Sequence, residues 1–169
     1  MFKILIISLA FLAIGCTTQQ EDVNILPVPE ISADLDDFST AMLAEVNALR
    51  TKGCRCGNEN MPAVTPLTFN QNLTSAADSH ARDMHRNDFF DHRGSDGDKV
   101  ADRSTKAGYS WRTIGENIAL HPGDLAAVVA GWQDSPGHCK NMMNADYKDL
   151  GAARSGNYWV QVFGRAAGE

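Results

Sequence analysis

Between Asp34 and Arg50 the apolar residues Phe38, Met42, Leu43, Val46 and Leu49 keep the three- and four-residue spacing that lines one face of a helix, and Thr51-Lys52-Gly53 ends it. A second stripe, Leu73, Ala76, Ala77, His80, Ala81 and Met84, has the same spacing and starts after Asn70 or Asn72, either of which can cap it. A third, Leu125, Val128, Val129 and Trp132, follows Asp124 as N-cap and should stop near Asp134, because Pro136 disfavours helical geometry in Ser135. Ser before Pro is also a usual N-cap and first position, so one or two turns of new helix are expected from Pro136 onward. Val100 to Lys106 reads as a short helical piece closed by Gly108 as its C′ residue. Near the C-terminus the period changes to two: Leu150 to Ala153 and Tyr158 to Phe163 read as a hairpin around Arg154-Ser155-Gly156-Asn157. Its second strand sets Tyr158, Val160 and Val162 on one face and Trp159, Gln161 and Phe163 on the other. Trp111 to Ala119 is too weakly periodic for a helix and reads as an extended segment with a bend, while Gly53 to Asn58 and Asp91 to Lys99 read as loops. The class is α+β.

The first fifteen residues, MFKILIISLAFLAIG, are an apolar run after one lysine, too short and too early for a stable membrane span, and read as a signal peptide. Ala13-Ile14-Gly15-Cys16 is similar to the lipobox of bacterial lipoproteins, in which the cysteine receives diacylglycerol, so Cys16 is the expected lipidation site. Residues 16 to 33, polar and then proline-bearing, suit a tether, and 34 to 169 have the length and ordinary composition of one domain. Removing residues 1 to 15 takes away only Lys3 and leaves 14 basic against 21 acidic residues, a formal charge of −7. With no basic cluster, nucleic acid is excluded as a partner and membrane contact has to come through the lipid. The expected location is an exported chain anchored to the bacterial membrane, the outer one where the cell has two, and the expected state is a monomer.

Candidate chemistry is sparse. Glu116 lies between Gly115 and Asn117 with Ile114 and Ile118 beyond, and a carboxylate near a core implies a partner: a cation, a histidine or a metal. His138 falls in the first turn of the short helix after Pro136, where the positive dipole end favours a neutral imidazole or a nearby anion. His92 lies in the Asp91 to Lys99 loop, and His80 on a buried stripe reads as a hydrogen-bonded core histidine. Three cysteines remain after Cys16, in a compartment that oxidises thiols. Cys54 and Cys56 are too close to pair comfortably, so Cys139 should join one of them.

In order along the chain, Pro66-Leu67, Leu73 with Ala76-Ala77, His80-Ala81-Arg82-Asp83-Met84, Phe89-Phe90-Asp91-His92, Asp102-Arg103 to Gly108-Tyr109, Gly115-Glu116-Asn117-Ile118-Ala119, Trp132 with Ser135-Pro136-Gly137-His138, and Tyr158 to Gly164 resemble the CAP superfamily, in particular its bacterial SCP-like branch. The resemblance implies an α-β-α sandwich, helices on both sides of a small antiparallel sheet, with a cleft on one face. Eukaryotic members hold two histidines and two glutamates in that cleft, and some bind a divalent metal there. His92 matches the first histidine and Glu116 the glutamate of the GEN motif, whereas the other glutamate is Ser135 here and the other histidine Tyr158. The bacterial branch offers His138 instead. The implied cleft is therefore His92, Glu116, His138, Tyr158 and Ser135, with His92, His138 and Glu116 as possible ligands of a divalent metal such as zinc. A Cys-Gly at the 53 to 58 loop resembles the bacterial branch and points to Cys56 as the partner of Cys139, leaving Cys54 free. The expected function is a binding module for an unidentified small molecule, lipid, glycan or peptide. The alternatives are a metal-dependent hydrolase or protease using the same cleft, and a structural or adhesive surface protein with a vestigial one.

Overall fold

The computed structural model describes residues 33 to 168. Cys16, the signal peptide and most of the tether lie outside the described residues. Five helices and six strands follow in the order α1 (Ala33–Lys52), β1 (Cys54–Cys56), β2 (Glu59–Met61), β3 (Thr68–Phe69), α2 (Gln71–Asn87), α3 (Val100–Lys106), β4 (Trp111–Leu120), α4 (Leu125–Asp134), α5 (Pro136–Met142), β5 (Asp149–Ser155) and β6 (Tyr158–Ala166). The main sheet runs β3-β5-β6-β4, antiparallel except for the two-residue edge strand β3, which pairs parallel to β5.

Alternation along β5 and β6 generates the layers, because successive side chains on a strand point to opposite faces. Leu150, Ala152, Trp159 and Phe163 pack against Met42 and Val46 of α1, Val128, Val129 and Trp132 of α4, and Met142 of α5. Ala153, Tyr158, Val160 and Val162 pack against Leu73, Ala77, Ala81 and Met84 of α2. Residues 158 to 164 are buried without interruption, so the strand is covered on both faces. The α-β-α sandwich is thus as expected, with the parallel edge strand as an addition.

Local signals explain the element ends. Asn70 caps α2 by accepting from the amides of Asn72 and Leu73, and Asp124 caps α4 by accepting from the amide of Ala127. At α3 the Asp102 carboxylate accepts from the Lys99 amide, and Gly108, at φ +87°, follows as the left-handed residue past the helix end. Two expectations need correction. Residues 53 to 58 are not a plain loop: β1 and β2 form a hairpin turned at Gly57, whose φ of +63° suits glycine. In β4 the irregularity is a register shift between Trp111 and Thr113, while Gly115 sits in regular ladder opposite Phe163.

The free edge of β4 is closed by helices. Trp132 Nε1 donates to the Ile118 carbonyl at 3.1 Å, and Asn141 Nδ2 to the Glu116 carbonyl at 3.2 Å, so carbonyls that would otherwise invite another strand are occupied. Arg50, wholly buried, meets main chain only: Nε donates to the Thr65 carbonyl, Nη1 to those of Met142 and Asn144, and Nη2 to that of Tyr147. Burial lowers its pKa to about 10, which leaves it charged at neutral pH.

Gly151 on β5 lies where α2 crosses the sheet. A Cβ there would overlap the Thr74 amide and the Leu73 carbonyl carbon, both main-chain atoms that cannot swing away. Gly151→Ala should therefore cost about 3 kcal/mol, the upper end for over-packing, read as a lower midpoint in urea unfolding.

Candidate functional site

Glu116 faces α2 and α3 from β4 with its side chain 2% exposed, and three elements supply its partners. Arg103 of α3, itself buried, donates from Nη2 to Oε2 at 2.6 Å. His92, from the loop after α2, donates from Nδ1 to Oε1 at 2.8 Å while keeping 58% of its side chain exposed. His80 of α2 stands 4.0 Å from Oε1 and spends its Nε2 proton on the Asp91 carbonyl. Arg103 also binds the carbonyls of Asp98 and His92, so one guanidinium fixes both the carboxylate and the loop that carries His92. Burial of Glu116 is thus compensated by a fork and an imidazole.

The charge states follow. Its hydrogen bond to Glu116 raises the His92 pKa above the usual imidazole value, outweighing partial burial. Burial lowers that of His80 in spite of the nearby carboxylate, so the 4.0 Å contact is made by a neutral ring and is not an ion pair. His138 is also held low, by burial first and then by the positive charge of His92. The helix start was expected to keep His138 neutral; the cause is desolvation.

His138 is placed by its backbone. Asn117, next to Glu116 and wholly buried, donates to the His138 carbonyl at 3.1 Å and to Gln161 Oε1 at 3.1 Å, while Asn141 donates to Asn117 Oδ1 at 2.9 Å. The disulfide between Cys56 and Cys139, with Cα atoms 5.4 Å apart, ties the next residue to β1. His138 and Ile118 line a cavity of about 250 Å³ with Phe90, Asp91 and His92. They also line a second, of about 280 Å³, with Leu120, His121, Trp132 and Ser135. A third, of about 360 Å³, continues past His92 and Glu116 to Lys99 and Val100. Shared walls make these one groove along β4, apolar at its Leu120 and Trp132 end and charged at its Arg93 and Lys99 end, with His92 and His138 between. Phe90, 49% exposed, and Leu120, 52% exposed, leave large apolar side chains at its rim. A larger polar cavity of about 460 Å³ lies on the other side of Arg103 against α2. Two of its charges are spent internally, Lys106 on Asp98 and Asp83 on Ser95.

Of the cleft residues named from sequence, His92, Glu116, His138 and Ser135 line this groove. Tyr158 does not join them: its hydroxyl donates to Asp88 at 3.1 Å and its ring stacks on His85. Ser135 caps α5 through its carbonyl, which accepts from the Cys139 amide, and its hydroxyl makes no capping bond. A zinc site of His92, Glu116 and His138 does not fit. Both carboxylate oxygens are already bonded and the Arg103 cation stands against Oε2, so Glu116 is not free to be a ligand, while the Nδ1 bond to Glu116 leaves only Nε2 of His92 open. Among the described residues the group of three converging ligand atoms is a different one, made of cysteines. Sequence reasoning assigned no role to Arg103. The signal was the demand of Glu116 for a cation, which Arg103, the fourth residue of α3, can meet only in three dimensions.

The family assignment rests on residues 43 to 163, which match the cysteine-rich secretory protein family, CAP. The chain belongs to the CAP family. It is 28% identical over 84% of its length to the uncharacterized protein YkwD of Bacillus subtilis, and 34% identical over 57% of its length to the uncharacterized membrane protein YlbC of that organism. The chain spans 57% and 28% of those relatives. Among solved structures it resembles an extracellular protein containing an SCP domain from Bacillus anthracis, with TM-score 0.65, 25% identity and 80% of this chain against 44% of that one. It also superposes on an outer surface protein of Borrelia burgdorferi, with TM-score 0.65, 23% identity and 78% of this chain against 94% of that one. The layers described above are those of a CAP domain.

The CAP cleft yields two expectations. Glu116→Ala should cost about 3 kcal/mol because it strands the buried Arg103, whereas His138→Ala should cost under about 1 kcal/mol, both read from urea midpoints. In an NMR titration His92 should protonate above the usual imidazole value of about 6.5 and His138 below it. The stabilisation from charged His92 is then complete below that value and lost as pH rises through its folded pKa. That from neutral His80 is lost as pH falls from the same value through its own.

Proposed function

We propose that this CAP domain is an exported, membrane-anchored binding module, and that its groove takes a ligand with an apolar body and a polar head. The observation that carries this is the placing of half-exposed His92, held toward its charged form by Glu116, and of His138, held toward its neutral form by burial, beside the apolar cavity at Ile118, Leu120 and Trp132, with Glu116 sealed behind them. Such a wall offers orientation by a few polar groups within an otherwise apolar lining, the usual composition of a ligand site. His92 presents its remaining ring nitrogen as a donor to an acceptor or anionic head, and His138 presents a neutral imidazole. A hydrolase is the weaker reading: among the described residues neither His92 nor His138 hydrogen-bonds a hydroxyl or thiol, so no activated nucleophile is set up in the groove. Export is supported by the sequence of residues 1 to 16 and by the extracellular and outer-surface relatives. No helix among the described residues is long and apolar enough to cross a membrane.

Two measurements test this. A dansylated medium-chain fatty acid, titrated by fluorescence, should bind the wild type and lose at least about tenfold in affinity in His92→Ala and His138→Ala, each retaining its circular dichroism spectrum. Equal affinity in all three proteins would remove the histidines from the site. For the anchor, Cys16→Ala should shift the protein from the detergent phase to the aqueous phase, or leave an unprocessed precursor, and unchanged partitioning would refute lipid attachment.

A further inference from the structure

Cys54 and Cys56 are two apart on β1, and strand periodicity therefore turns both toward the same side, where α5 presents Cys139. Cys56 and Cys139 are joined, and the Cys54 sulfur stands 3.9 Å from Cys56 Sγ and 3.7 Å from Cys139 Sγ. Near-equal distances put it beside the S–S bond, not on the extension from which a thiolate attacks. They are instead the spacing of ligands around one ion: metal–sulfur bonds of about 2.3 Å separate sulfurs by roughly 3.8 to 4.0 Å in tetrahedral or trigonal sets. The surroundings are soft and dry. Met143 belongs to the same buried cluster, Met61 packs against it opposite Cys54 in the hairpin, and Leu49 and Val64 complete the wall. Cys56 and Cys139 are 1% and 0% exposed, and the half-buried Cys54 forms the open side.

We propose that Cys54, Cys56 and Cys139 form a redox-gated site for a soft, thiophilic cation, copper(I) foremost, whose closed state is the Cys56–Cys139 disulfide. Opening takes two electrons and two protons from a dithiol, of the kind carried by thioredoxin-like proteins. That dithiol becomes a disulfide while the S–S bond between Cys56 and Cys139 breaks into two thiols. Each sulfur that then binds the ion releases one proton, so affinity rises with pH. Three thiolates among thioethers, with no imidazole or carboxylate in the group, select a soft cation over magnesium, calcium or manganese. None of the three cysteines lines the groove, and the site does not depend on the reading of the cleft.

The test uses the mature chain, reduced with a phosphine that is removed under nitrogen, and copper(I) offered as its coloured bathocuproine disulfonate complex. Reduced wild type should remove one copper per chain, the oxidised protein none, and reduced Cys54→Ser should bind at least about tenfold more weakly. His92→Ala should match wild type. Circular dichroism of the reduced, metal-free chain is recorded alongside, because Arg50 should hold the end of α5, and pairing with β2 should hold β1, without the disulfide. Unfolding on reduction, or equal copper uptake by Cys54→Ser, would overturn the proposal.

Discussion

The continuous burial of β6 is the constraint from which the architecture follows. A strand buried on both faces needs a helical layer on each side, and its position in the middle of the sheet makes β4 an edge that must be protected. The α4–α5 pair does that with a tryptophan and an asparagine, and so brings the start of α5 over the strand that carries Glu116. The groove is a by-product of edge protection: helices that cover a strand from the side leave a furrow along it.

Within the furrow the electrostatics form a graded series. Arg103 and Glu116 are sealed from water, His92 shares the carboxylate but reaches solvent, and His138 meets that positive charge across a small apolar cavity. The outward face therefore presents a cation held by a hidden anion, the arrangement by which a polar head is oriented without a fully buried charge at the surface. Gly115 contributes by having no side chain: a Cβ would overlap the Tyr147 hydroxyl, which occupies the other face of β4 behind the site.

Much of this was legible in the chain. The stripes of α1, α2 and α4 and the caps Asn70 and Asp124 are properties of neighbouring residues and came through intact, as did the two faces of β6. The demand of Glu116 for a partner was legible too, since it follows from the residue's own environment. What was not legible depends on pairings with no local signature. β3 is two residues long and exists only by its match to β5. The β1–β2 hairpin is too short to show a period. Tyr158 was placed by correspondence with a histidine of other CAP proteins, yet a phenol at the start of β6 finds a closer acceptor in Asp88, itself the left-handed residue that ends α2.

Arg50 carries a consequence for how this protein can vary. Its donors end on four main-chain carbonyls and on no side chain, so what it recognises is the path of the chain around Thr65 and from Met142 to Tyr147. Exposed side chains on that connection are free to drift without loosening α5, while the arginine is not exchangeable even for lysine, whose ammonium lacks the planar fork that reaches carbonyls on several sides. Homologues with little sequence in common between α5 and β5 can thus keep the same helix in the same place, provided one buried guanidinium survives in α1.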